Sequence, residues 1–130
     1  MPTDRMRFPS WLEPLCRIAL DFRTEELSIG GLFQRAAPDL TDPEFVELVA
    51  QVLNQAPELV VAWQQYSRDK RATPSPYLDG TEVGFVEVVS ERFQTRNVCR
   101  FESAVDACSA FILCEAVWVL ERREVLAGAP

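Results

Sequence analysis

The side chains able to do chemistry crowd into one stretch, Trp63 to Gly80 (WQQYSRDKRATPSPYLDG), which holds both tyrosines and the only lysine of the chain. Arg68, Lys70 and Arg71 set three cations around Asp69. Such a knot can bind a phosphate or carboxylate, with Asp69 orienting one guanidinium through paired hydrogen bonds. Asp69 could equally pair with Lys70 or Arg71 and do no more than tie the connection down. Tyr66 and Tyr77 each join a large apolar ring to a hydrogen-bonding tip, and tyrosine and arginine are enriched among the residues that dominate protein interfaces. Packing is the competing role, with Tyr77 covering a hairpin and the Tyr66 hydroxyl bonded locally. Asp79, Glu82 and Glu87 form a carboxylate set in which burial could tune one member as an acid, although acids in turns and on strand faces are ordinarily just solvated.

Other catalytic equipment is missing in kind. Histidine is absent, which removes the usual general base and metal ligand near neutral pH. There is no glycine-rich phosphate loop, no G-x-S-x-G, no H-E-x-x-H and no Cys/His pair. Cys16, Cys99, Cys108 and Cys114 include no C-x-x-C, so a zinc site would need all four to converge. Reduced, buried packing is the expectation for each. No catalytic residue, cofactor or metal is expected, and the chain reads as a binding protein rather than an enzyme.

Composition narrows the partners. A chain of 130 residues, 48% hydrophobic and 25% charged, fits one globular domain spanning 1–130. Its net charge of −7 repels phosphate backbones, so no nucleic acid is expected as a partner; a basic protein is favoured, and excess acid also keeps a small protein soluble. Met1 to Phe8 carries Asp4, Arg5 and Arg7 with no apolar run behind them, and no 18-residue apolar stretch follows. The expectation is a cytoplasmic protein without a membrane partner; nothing in the sequence sets the oligomeric state.

The elements that must position these residues follow from periodicity. Ser10 should cap a first helix carrying Trp11, Leu12, Leu15, Cys16, Ile18 and Ala19. A second short helix is expected from about Thr24 or Ser28 to Ala37, weakened by Gly30-Gly31 and ended by Pro38. Asp42-Pro43-Glu44 starts a third, with Phe45, Leu48, Val49, Val52 and Leu53 on its apolar face. Pro57-Glu58 opens a fourth through Leu59, Val60, Ala62, Trp63 and Tyr66, delivering Ser67 to Arg71 at its carboxyl end. Buried packing is expected of Trp63 and Trp118.

The period then changes to two. Glu82 to Val89 is one strand; a second sets Phe93, Thr95, Cys99 and Phe101 on one face against Gln94, Arg96, Val98 and Arg100 on the other, with a turn near Ser90-Glu91. Helices should cover the apolar side, with Pro76-Tyr77-Leu78 as a third strand. Ser103 and Asp106 open the last helix, Ala104 to about Leu126, which is apolar around much of its circumference and so central to the core. The fold class is α+β: a helical first half and a long C-terminal helix packed on a small antiparallel sheet.

With W-x-x-Y-S-x-D-K-R (Trp63 to Arg71), S-P-Y-L (Ser75 to Leu78), E-V-G-F (Glu82 to Phe85) and A-C-x-x-F-I (Ala107 to Ile112), the chain resembles small bacterial immunity proteins that accompany polymorphic or contact-dependent toxins, over roughly residues 57–120. The resemblance implies a non-enzymatic inhibitor that binds a cognate toxin domain and covers its active site; it carries over no catalytic residue. Acidity suits that task if the toxin is basic. The expected docking surface is Tyr66, Arg68, Asp69, Lys70, Arg71, Tyr77 and Asp79, displayed outward. The alternative is a small-ligand or phosphate sensor built on Arg68, Lys70 and Arg71.

Overall fold

A computed structural model describes residues 8–70 and 74–128. In chain order it has α1 (Leu12–Cys16), α2 (Ile18–Asp21), α3 (Ile29–Ala36), α4 (Phe45–Gln55), α5 (Pro57–Asp69), β1 (Ser75–Asp79), β2 (Glu82–Val89), β3 (Arg92–Arg100) and α6 (Ala104–Gly128). The strands form one antiparallel sheet in the order β1-β2-β3. The fold is α+β, with six helices among the described residues and the expected third strand at Pro76-Tyr77-Leu78.

Local signals explain most boundaries. Ser28 accepts the Gly31 amide at 3.1 Å and starts α3, which Ala37 ends in the left-handed region at φ 52°. Asp42 accepts the Glu44 amide at 2.9 Å just before α4, and Pro57 occupies the first turn of α5. Ser10 is a correction: it caps nothing, and the Pro9 carbonyl instead accepts the Leu12 amide at 3.1 Å. The expected first helix also divides at Arg17 into α1 and α2.

The core is one cluster to which every helix contributes, with Leu78 and Val83 from the sheet. Trp63 is fully buried at its centre. Its indole N–H donates to the Cys16 carbonyl at 2.9 Å, and its ring meets Tyr66 and Phe111 edge-on at centroid distances of 5.3 and 6.0 Å. Edge-to-face pairs of this kind add about 0.5–1.5 kcal/mol each beyond the area they bury. Along α6, Ala107, Cys108, Phe111, Ile112 and Ala116 are all fully buried, which makes this helix the axis of the core.

The sheet departs from simple alternation at one place. Val83 pairs with Cys99 but Phe85 pairs with Arg96, so β3 spends one residue more than β2 across Gly84, and Asn97 takes φ 55°. This bulge reverses the faces of β3. Cys99 shares the helix-side face with Val83, whereas Phe93 and Thr95 share the opposite face with Val88 and Val86. The expected single apolar face of Phe93, Thr95 and Cys99 therefore does not exist, and β3 is exposed along its whole length. Cys99 and Cys114 are likewise exposed, against the expectation of four buried thiols; Cys16 and Cys108 are buried as expected.

Candidate functional site

The W-x-x-Y-S-x-D-K-R segment divides between inside and outside. Tyr66 lies on the Trp63 face of α5 and is 9% exposed. Lys70, at the end of that helix, turns inward beneath it with its side chain only 11% exposed. The lysine ammonium donates to Glu115 Oε1 of α6 at 2.7 Å and to the Pro76 carbonyl at 2.9 Å, while the Tyr66 hydroxyl donates to Glu115 Oε2. Glu115 is 1% exposed, so both its oxygens are satisfied out of water. This corrects the expected docking surface: Tyr66 and Lys70 belong to a buried clamp joining α5, α6 and β1.

Physics favours that arrangement over display. An acid in the apolar run Ala107–Leu120 must find a cation and a donor, because an unpaired buried charge costs several kcal/mol. Burial lowers the proton affinity of Lys70, and the Glu115 charge beside it works in the opposite direction. Burial, then the charge of Glu115, raises the Tyr66 hydroxyl well above the ordinary tyrosine range. One sequence signal could have revealed the clamp: Glu115 is the only charge between Asp106 and Glu121.

Arg68 and Asp69 remain exposed, with Asp69 accepting from Gln65 at 2.9 Å. Arg71 lies outside the described residues. Tyr77 is half-buried on the face of the sheet away from α6; its ring covers Gly84 so closely that a Cβ there would sit 2.8 Å from it. Its hydroxyl donates to Glu82 at 2.6 Å, and burial and that carboxylate push it up to about 12. Asp79 is exposed. The six described residues of the expected surface thus do not lie together on the outside. The carboxylate set does not converge either, since Glu82 and Glu87 take opposite faces of β2; Glu82 binds Tyr77 and Arg100, and Glu87 lies 3.9 Å from Arg96.

A stripe of α5 side chains instead seals the outer edge of β1. Gln64 exchanges two hydrogen bonds with the backbone of Gly80, accepting its amide and donating to its carbonyl, both at 2.9 Å. Ser67 Oγ accepts the Leu78 amide at 2.7 Å, and Lys70 donates to the Pro76 carbonyl. Residues 76, 78 and 80 are the alternate positions whose backbone faces away from β2. Polar side chains three apart on a helix therefore replace a missing neighbouring strand.

Among the described residues, the other edge has no such cover. Among the described residues, β3 has β2 as its principal neighbour and no strand beyond it. On this hairpin Phe93 is 74% exposed, Val88 49%, Val98 41% and Val89 40%. Ser90, Glu91 and Asn97, three of the four non-glycine residues with positive φ among the described residues, also lie here. The two-residue turn requires positive φ at Ser90 and Glu91, and the bulge places it at Asn97. A cleft of about 800 Å³ beside α1, lined by Leu12, Arg17, Asp21, Gln51 and Leu59 among others, is a weaker candidate, because Arg17 already lies 3.7 Å from Asp21.

Compared with known proteins, the chain finds no significant match to a family model, a curated protein or a solved structure. No helix among the described residues is long and apolar enough to cross a membrane, and no described cluster of acids and cysteines could hold a metal ion.

Proposed function

We propose that this chain is a protein-binding module, acting as an immunity- or antitoxin-like inhibitor that occupies a cognate toxin domain, and that it docks through the β2–β3 hairpin. The single observation carrying this reading is the hairpin itself, on which Phe93 and its cross-strand partner Val88 stand exposed to solvent. An aromatic anchor on a strand that also carries arginines has the composition of an interface centre. The inhibitor role draws in addition on the resemblance of roughly residues 57–120 to immunity proteins. The sensor alternative is weakened because Lys70 is already neutralised by Glu115 inside the fold.

Growth rescue tests the proposal. Co-expression with the toxic carboxyl-terminal domains encoded in the same genome should restore growth for one of them, and Phe93→Ser should abolish rescue while leaving the circular dichroism spectrum unchanged. Failure to neutralise or bind any such domain would overturn the inhibitor role, and full rescue by Phe93→Ser would move the docking site elsewhere.

A further inference from the structure

We infer that the open edge of β3 is a docking site for an acidic, extended segment of a partner protein, which adds to the sheet as a fourth antiparallel or parallel strand. The inference rests on the protein-recognition reading and names the chemistry the partner must present.

Geometry supplies the backbone half of the recognition. The α5 stripe bonds the outward groups of residues 76, 78 and 80, so residues 75, 77 and 79 face β2. Carried across the ladder, with Val83, Phe85 and Glu87 facing β3, this leaves the backbone groups of Phe93 and Thr95 aimed at the open edge. An unpaired row of amides and carbonyls is a template for an incoming strand. Natural sheets blunt such edges: at β1 Gln64, Ser67 and Lys70 bond the outward backbone groups, whereas β3 carries only exposed arginines and the bulge at Asn97, and among the described residues nothing bonds the outward groups of Phe93 and Thr95.

Charge supplies the specificity. The strand RFQTRNVCR holds Arg92, Arg96 and Arg100 and no acid, in a chain whose net charge is −7. Arg96 lies over the Phe85 ring at 4.7 Å and Arg100 is 3.1 Å from Glu82, yet their side chains remain 56% and 79% exposed. Exposed pairs of this kind are weak and screened, so both guanidinia can still reach an incoming carboxylate. A second copy of β3 would oppose arginine with arginine, whereas a strand carrying Asp or Glu at alternate positions complements Arg92 and Arg96, which share the helix-side face of β3. Repulsion of the wrong partner and attraction of the right one act together, and Phe93 offers an aromatic surface beside the edge.

Fluorescence anisotropy of the full chain with a labelled nine-residue peptide of alternating Glu and Val tests this. The acidic peptide should bind saturably. A Lys/Val peptide, or an acidic peptide broken by two adjacent central prolines, should bind at least tenfold more weakly, and Arg92→Glu should cost the acidic peptide at least fivefold. No binding of the acidic peptide, or equal binding of its proline-broken form, would overturn the inference, the latter because only diffuse charge attraction would remain. A concentration-dependent dimer in sedimentation that the acidic peptide fails to dissociate would overturn it too, by assigning the edge to a second copy. Edge binding combined with failed growth rescue would remove the inhibitor role and leave the edge site standing.

Discussion

The two outer strands of one sheet are treated in opposite ways. β1 is five residues long, sealed along its free edge by α5 and anchored to the core through Lys70, Tyr66 and Glu115. β3 is nine residues long, exposed throughout and armed with arginines. An open edge is a hazard in a small domain unless something uses it. The contrast separates a half of the molecule organised for stability from a half left available for contact, and the polar cluster that is most conspicuous in the sequence falls in the stable half.

Substitutions can break that contrast, beginning with the largest effect. Glu115→Ala strands the Lys70 charge in the core and should cost about 3–5 kcal/mol, read as a large fall in Tm. Lys70→Met with Glu115→Leu removes both charges and should restore most of that loss; persistence of the full loss would show that the clamp does more than compensate its own burial. Ser67→Ala leaves the half-buried Leu78 amide without its acceptor and should cost about 1–3 kcal/mol in chemical denaturation.

Alkaline pH probes the buried side in another way. Cys16 is pushed up to about 12 by burial, Cys108 is raised likewise, and Tyr66 and Tyr77 are both raised. Each contributes stability that is complete below its unfolded pKa and lost as pH climbs toward the folded one. Lys70, lowered by burial, has the opposite sign: its contribution grows with pH up to its ordinary value. Four raised groups outweigh one lowered one, so Tm should fall steadily above about pH 9, and the fall should be shallower in Tyr66→Phe.

The hairpin should respond differently. Ser90 and Glu91 both have positive φ, the conformation of a two-residue turn that favours Asn-Gly. Ser90→Asn with Glu91→Gly should therefore stabilise the protein by about 1 kcal/mol. Phe93→Ser, at the most exposed large hydrophobic residue described, should alter stability by less than about 0.5 kcal/mol while removing partner binding.

Much of this architecture is legible in the sequence, for identifiable reasons. The helices announce themselves by apolar spacing and by Ser28, Asp42 and Pro57 at their starts; the three strands follow from β-branched residues and turn signals. Trp63 is readable as core because its neighbours at helical spacing are apolar. The direction in which Lys70 points is not local information. It depends on Glu115, 45 residues away, and a charge cluster at a helix end reads as solvent-facing until that acid is recognised as needing a partner. The bulge at Asn97 is equally hidden, since one extra residue in β3 reverses a face without altering its composition. What remained legible at the site was therefore the segment, and not which of its side chains face solvent.

Native-state hydrogen exchange measures the difference between the two edges most directly. The amides of Leu78 and Gly80, held by Ser67 and Gln64, should exchange slowly, whereas those of Phe93 and Thr95, aimed at the open edge, should exchange at nearly the rate of an unstructured chain. Protection of Phe93 and Thr95 equal to that of Leu78 and Gly80 in the isolated protein would mean that the β3 edge is already covered, and the account of an available docking strand would be wrong.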